Sequence, residues 1–190
     1  MTGAEPTAAT DLLLTIMTKG VVESRAWSEG AHRQLVSTLV AEGALAEDQG
    51  FLYLTEMGDE RLSHSLQAQV TPEDHDGLAA FADEFTSLDA EVKAALTAWQ
   101  RAQRDSDPDG QVAAIERWLD ADRRLADAAD RSGAVRRSFG RYLDRLQEAR
   151  ESVLAGQPDR LAGADDNSYH NLWFLLHEVL LRSFGRKRRE

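Results

Sequence analysis

Two histidines in the last third of the chain come nearest to a chemical site by residue type and spacing. His170 and His177 lie seven residues apart in a predicted helix, so they share one face. Imidazoles combined with an acid from another helix, such as Asp122, could bind a metal inside a bundle. Seven residues span about 10 Å of helix, however, which is too far for both rings to share one ion. We therefore expect hydrogen-bonded histidines in a core or subunit interface, and we predict no metal and no cofactor.

Aromatic side chains accompany these histidines and could line a pocket for a small ligand. Such a pocket would combine polar groups of the last helix with indole rings from earlier helices. The candidate residues are Trp99, Trp118, Asp122, Tyr169, His170, Trp173 and His177.

Arginines are concentrated in the middle of the second half of the chain. Arg136, Arg137, Arg141 and Arg145 follow one another along a predicted helix, after the pair Arg123 and Arg124. A phosphate or carboxylate pocket is one interpretation. Ion pairs with the many neighbouring acids are the interpretation that we favour.

Sequence motifs of catalysis are absent. The chain has no cysteine, no Gly-rich phosphate loop, no nucleophile elbow and no HExxH or Walker pattern. We therefore predict that the protein is not an enzyme. A bundle enzyme or metal protein that uses His170 or His177 is the weakest of three hypotheses.

The N-terminal third alternates between helical and extended patterns. Apolar spacing predicts three helices, over 10–19, 21–27 and 29–42. Thr10 would be the N-cap of the first helix and Ser28 that of the third. The period then changes, which predicts a β-hairpin with strands at 44–46 and 51–54 and a turn at 47–50. Another helix is expected from Thr55.

This order of elements and two short motifs resemble MarR-like and PadR-like regulators. The motifs are Leu39…Glu42-Gly43-Ala44-Leu45 and Tyr53-Leu54-Thr55-Glu56-Met57-Gly58-Asp59-Glu60-Arg61-Leu62. The resemblance implies a winged-helix domain over 8–70 whose third helix reads DNA. The DNA-binding residues would be Arg25, Ser28, His32, Arg33, Gln34, Ser37 and Thr38.

The remainder of the chain is predicted to be helical. Helices are expected from Thr71 to about residue 104, from Asp107 to about Ala129, over 134–154 and over 168–184, with a loop at 155–167. They would form a four-helix bundle-like region at 71–185, followed by a basic tail at 186–190. The segments FADEFTSLDAEVKAALTAWQ and SYHNLWFLLHEVLLRSFGRKR resemble actinobacterial winged-helix proteins found alone or attached to phosphoenolpyruvate-utilising, pyruvate phosphate dikinase-like enzymes.

Charge weighs against the DNA-binding function that this fold class implies. The net charge is −11, and residues 1–70 hold ten acids and only four bases, so attraction to phosphates is weak. Our leading hypothesis is a winged-helix transcriptional regulator whose bundle mediates dimerisation and senses a ligand. The alternative is an interaction module that does not bind DNA and partners a phosphoenolpyruvate-utilising enzyme. Because the N-terminus lacks a signal peptide and no stretch would span a membrane, we expect a cytoplasmic protein.

Overall fold

The computed structural model describes residues 8–163 and 165–186. Within these ranges the chain is mainly helical, with one small antiparallel sheet. The chain divides into two compact units. The described part of the first consists of residues 8–70 and 182–186, and the second consists of residues 71–181. No helix in the described ranges has both the length and the apolar character that a membrane span requires.

Three helices and three strands lie within the described residues 8–70 of the first unit. Helix α1 spans Ala8–Lys19, strand β1 Val21–Glu23, helix α2 Gly30–Ala41, strand β2 Leu45–Asp48, strand β3 Phe51–Leu54 and helix α3 Glu56–Gln67. A 3-10 turn at Ser24–Trp27 joins β1 to α2.

Three sequence predictions for this unit were wrong in detail. The helix expected over 21–27 is instead β1 and the 3-10 turn, because Val21–Glu23 pairs with β3. Ser28 does not cap α2: its hydroxyl donates to the carbonyl of Arg25, and Glu29 occupies the N-cap position. Thr10 lies inside α1, which begins two residues earlier than its expected cap.

The predicted hairpin is present, with a longer first strand than expected. Strand β3 pairs antiparallel with both β2 and β1, so that it lies between them. The turn consists of Gln49 and Gly50 only, and both have positive φ, at 49° and 82°. Two successive positive φ values are typical of the two-residue hairpin turns whose twist matches that of the strands. Strand β2 therefore continues to Asp48 rather than ending at Ala46.

Helix α3 is fixed against the start of the hairpin by a threonine and a glycine. The hydroxyl of Thr55 donates to the carbonyl of Gly43 at 2.6 Å and accepts from the backbone N–H of Gly58 at 3.0 Å. A Cβ on Gly58 would lie 2.0 Å from the carbonyl oxygen of Ala44. Only glycine permits this approach, because the neighbour is backbone and cannot move aside.

Four long helices and one short helix form the second unit. Helix α4 spans His75–Arg104, α5 Pro108–Asp130, α6 Gly133–Leu154, α7 Asp159–Ala162 and α8 Tyr169–Ser183. The last two residues of α8 belong to the first unit. Helix α5 begins as predicted, with Pro108 in its first turn and the Asp107 carboxylate accepting from the N–H of Gly110 at 3.0 Å. Two predictions were wrong: α4 begins at His75 rather than Thr71, and α7 interrupts the predicted loop.

Helix α8 supplies one side of the core of the second unit. Its side chains Tyr169, Leu172, Trp173, Leu176, Val179 and Leu180 are all buried. They meet rings from two other helices, because Phe85 of α4 stacks on Trp173 at 4.2 Å and Trp118 of α5 meets Tyr169 edge-on at 4.9 Å. The tryptophans Trp99, Trp118 and Trp173 are thus buried within the chain itself. Dimerisation through the bundle stays a prediction.

Candidate functional site

The predicted DNA-reading residues lie on and just before α2. His32, Arg33, Gln34, Ser37 and Thr38 are exposed on this helix, and Arg25 and Ser28 are exposed in the turn before it. The structure therefore brings the seven residues to one short, accessible stretch. The apolar residues Val36 and Leu39 face the core of the unit.

Most of the polar groups in this stretch already have local partners. Arg25 forms an ion pair with Glu23 at 2.5 Å, and the Nε–H of Arg33 donates to the carbonyl of Ser28 at 2.5 Å. The ring of His32 meets that of Trp27 edge-on at 5.4 Å. The stretch thus offers little unneutralised positive charge to a phosphate backbone.

The outer face of the sheet carries an apolar patch that the sequence analysis missed. Tyr53 on the central strand lies between its partners Val21 on β1 and Ala46 on β2. In the next row on the same face, Phe51 lies between Glu23 and Asp48. Val21, Phe51 and Tyr53 are 41%, 38% and 39% exposed. We call Val21, Ala46, Phe51 and Tyr53 the sheet patch. The signal was the run Phe51-Leu52-Tyr53-Leu54, which is apolar on both faces of a strand, whereas a half-buried strand alternates with polar residues.

In the second unit, Asp122 lies at the centre of a buried polar cluster. Its Oδ1 accepts from the hydroxyl of Tyr169 at 2.9 Å, and its Oδ2 accepts from Nη1 of Arg150 at 3.0 Å. Asp122 is 6% exposed and Tyr169 is fully buried. Burial, together with the charge and hydrogen bond of Asp122, raises the pKa of the Tyr169 hydroxyl well above its usual value. The cluster holds a carboxylate, a neutral phenol and a guanidinium in fixed positions.

A second cluster forms around Asp89 of α4, which the sequence analysis did not single out. The carboxylate accepts from the indole N–H of Trp173 at 3.0 Å and from Lys93 at 2.6 Å, and Nδ1 of His177 lies 3.8 Å away. Burial opposes ionisation of Asp89, but the hydrogen bonds from Lys93 and Trp173 outweigh it and lower its pKa, with a smaller contribution from His177. His177 is thus buried beside the Asp89 carboxylate, at a distance longer than a hydrogen bond. That the histidines are hydrogen-bonded stays a prediction.

The predicted ligand pocket is only partly assembled. Trp118, Asp122 and Tyr169 are joined by the contacts above, and the ring of Trp173 stacks on that of Tyr169 at 6.0 Å. His177 reaches the group through Phe85 and Asp89. His170 is exposed, so it does not share a site with His177. Trp99 is buried, and its indole N–H has no hydrogen-bond partner in the described chain. Among the described residues, no three His, Asp or Glu side chains are grouped as a metal site requires.

The arginines of α5 and α6 are mainly dispersed in ion pairs. Arg124 pairs with Glu91 at 2.8 Å, Arg136 with Asp130 at 3.1 Å, and Arg137 with Asp74 at 2.6 Å. Further pairs and contacts are Arg123 with Asp120, Arg145 with Asn167, and Arg141 with Tyr142. Pairing with acids was the favoured prediction, and it is confirmed for Arg123, Arg124, Arg136 and Arg137.

A cleft of about 210 Å³ lies between α5 and α6, next to the Asp122 cluster. Asp122, Arg150, Asp130, Arg136 and Gln147 supply its polar lining. The apolar lining consists of Leu125, Ala126, Ala129, Leu143 and Leu146. Arg150, which the sequence analysis did not consider, connects this cleft to the buried carboxylate.

Comparisons of the chain with protein-family models, with curated proteins and with solved structures found no match.

Proposed function

We propose that this chain is a non-catalytic winged-helix protein whose first unit recognises a partner protein rather than DNA. The order of helices and strands in that unit, with β3 between β1 and β2, supports the winged-helix assignment. The observation that carries the functional proposal is the sheet patch, where two aromatic rings are exposed beside acidic side chains. Exposed aromatic groups with a polar rim are typical of protein-binding surfaces.

The charges around the patch define the chemistry of the partner. In the sheet register, Phe51 lies between Glu23, which pairs with Arg25, and Asp48, whose neighbour at the hairpin is Glu47. Asp48 and Glu47 thus supply the negative charge beside the patch. A complementary partner surface therefore presents apolar groups surrounded by lysine or arginine, since opposite charges at the rim steer association and exclude wrong partners. The resemblance in the second half of the sequence makes a phosphoenolpyruvate-utilising enzyme the partner that we propose.

The same charges disfavour DNA as the ligand. In a winged helix the hairpin beside the reading helix commonly lies near the phosphate backbone, yet here it carries Glu47 and Asp48. Each neutralised phosphate contributes about −0.9 to the slope of log affinity against log salt concentration. Arg25 is already paired with Glu23, which leaves Arg33 as the main cationic group on this face. The free energy from counterion release is therefore small.

Binding to a purified pyruvate phosphate dikinase-like enzyme from the same organism tests the proposal. Tyr53→Ser and Phe51→Ser remove the exposed rings, and we expect each to weaken binding about tenfold or more, as aromatic anchors do in protein interfaces. Leu154→Ser is the matched control, because Leu154 is 60% exposed but lies on α6 of the second unit. Biolayer interferometry with the full chain measures the affinities. The proposal would be contradicted if wild type does not bind, or if both aromatic variants bind with the affinity of wild type.

The DNA-binding regulator remains a second candidate, because α2 presents Arg33, Gln34 and Ser37 on an accessible face. Fluorescence anisotropy with the gene's own upstream DNA at low salt tests it, since electrostatic attraction is strongest there. A flat titration supports the protein-recognition proposal. Saturable binding that Arg33→Ala abolishes, and that the control Arg123→Ala preserves, would favour the regulator instead.

A further inference from the structure

The cleft between α5 and α6 has the parts of a small-anion site. Leucine and alanine side chains line it together with two arginine–aspartate pairs, Arg150 with Asp122 and Arg136 with Asp130. No aromatic residue is among its lining residues. Ligand pockets usually combine apolar side chains, which bind the body of the ligand, with a few fixed polar groups that orient it.

Arg150 is held in place by groups that are themselves buried. Its Nη1 donates to Oδ2 of Asp122, whose Oδ1 accepts from the hydroxyl of Tyr169. A guanidinium has five N–H groups, and the others of Arg150 have no partner among the described residues. Its side chain is 29% exposed. The guanidinium is thus fixed on one side and offers donors on the other, which lowers the entropic cost of binding an anion.

The neighbouring charges favour an anion with a single charge. Both oxygens of Asp122 already accept hydrogen bonds, and Asp130 is paired with Arg136 at 3.1 Å. These acids are therefore matched within the chain and do not require a cationic ligand. They would repel a phosphate dianion more strongly than a monoanion. The other arginine of the cleft, Arg136, pairs with two acids, Asp130 and Asp144, which leaves Arg150 as the anchor. A carboxylate matches the geometry of one guanidinium.

The size and lining of the cleft define the body of this ligand. An apolar cavity of about 150 Å³ holds a six-carbon ring, so a cleft of about 210 Å³ has room for a short aliphatic chain and its carboxylate. We propose that the α5–α6 cleft binds a short branched or linear aliphatic monocarboxylate, with Arg150 as its anchor. This site lies in the second unit, and the proposal does not depend on what the first unit recognises.

Isothermal titration calorimetry of the full chain with sodium 3-methylbutanoate tests this inference. We expect saturable one-site binding by wild type and none by the same concentrations of inorganic phosphate or 3-methylbutylamine. Arg150→Gln is expected to weaken binding about tenfold to a hundredfold, the range for a hydrogen bond to a charged group. Arg145→Gln is the matched control, because Arg145 lies on the same helix, contacts Asn167 and does not line the cleft.

A second variant keeps the test informative if Arg150→Gln does not fold. Ala126 is half-buried and lines the cleft, so Ala126→Leu fills part of the cleft while Arg150 and Asp122 are retained. We expect it to weaken binding by at least about tenfold, because the ligand and the new side chain compete for the same volume. The inference is overturned if wild type shows no saturable binding, if the amine or phosphate binds more tightly than the carboxylate, or if Ala126→Leu binds as wild type does.

Discussion

Replacement of Tyr169 by phenylalanine removes one oxygen from the buried cluster and leaves the ring. The lost interaction is the hydrogen bond from the Tyr169 hydroxyl to the carboxylate of Asp122 at 2.9 Å. A hydrogen bond to a charged group contributes about 1.5–3 kcal/mol to stability. We expect Tyr169→Phe to lower the free energy of unfolding of the second unit by that amount. With a urea m-value of about 1.5 kcal/mol/M, the midpoint falls by about 1–2 M.

The effect of Tyr169→Phe must also depend on pH, in a direction set by the raised pKa of the hydroxyl. Above about pH 10 the unfolded tyrosine ionises while the folded one keeps its proton, so the unfolded state binds fewer protons. The stabilisation is therefore fully present below pH 10 and is lost as the pH rises further. At pH 11 the stability difference between wild type and variant should have narrowed by about 1.4 kcal/mol.

Urea unfolding followed by tryptophan fluorescence measures both effects. Trp27 lies in the first unit, so a Trp27→Phe background leaves Trp99, Trp118 and Trp173 as reporters of the second. A double-mutant cycle with Asp122→Asn isolates the coupling between the two side chains. A stability change below about 0.5 kcal/mol at pH 7, or a difference that stays constant from pH 8 to pH 11, would refute this account of the cluster.

Three further predictions follow from contacts described above. Gly58→Ala should destabilise the first unit by about 3 kcal/mol or more, because its Cβ would lie 2.0 Å from the Ala44 carbonyl oxygen. Gly140→Ala on α6 should instead stabilise the second unit by about 0.5–1 kcal/mol in the same thermal melts, because its Cβ would have no neighbouring atom within 4 Å. Asp89→Asn should make the free energy of unfolding fall less steeply below about pH 4. The pKa of Asp89 is lowered in the folded state, so its stabilisation is present above the pKa of the unfolded state and is lost as the pH falls through the pKa of the folded state. An unchanged acid-unfolding profile would contradict this prediction. Asp107→Ala should cost about 1 kcal/mol by removing the cap of α5, and denaturation that matches wild type would show that the cap does not contribute.

Local signals predicted the elements that depend on local interactions. The change of period near Gly50 predicted the hairpin, and Asp107-Pro108 predicted the start of α5. Strand β1 was missed because three residues are too few to show a period, and Val21–Glu23 is extended only because β3 lies beside it. Helix α7 was missed for the same reason, since four residues carry little pattern of their own.

In the candidate sites, too, the sequence identified single residues but not the long-range contacts that they make. The sequence analysis named Asp122 as an acid that could act together with the histidines, and the structure gives it Tyr169 and Arg150 as partners instead. Nothing in the sequence identified Arg150 as the partner of Asp122 or Asp89 as the centre of the second cluster, because their roles depend on where the helices pass one another. The burial of His170 and His177 differs although both lie on one face of α8, because it depends on what covers each part of the helix. His177 lies against Asp89 and Phe85 of α4, whereas His170 is exposed near the start of α8.

The position of α8 in the core has a consequence for the order in which the second unit can fold. The contact of Trp173 with Asp89 joins residues 84 positions apart, and that of Tyr169 with Asp122 joins residues 47 apart. Long-range contacts slow folding, because the entropy of closing the loop is lost before the contact forms. During synthesis, α4, α5 and α6 leave the ribosome before α8, with Phe85 and Trp118 still lacking the rings that cover them. Until α8 emerges and closes the core, the nascent second unit thus exposes apolar surface of the kind that makes folding intermediates prone to aggregate.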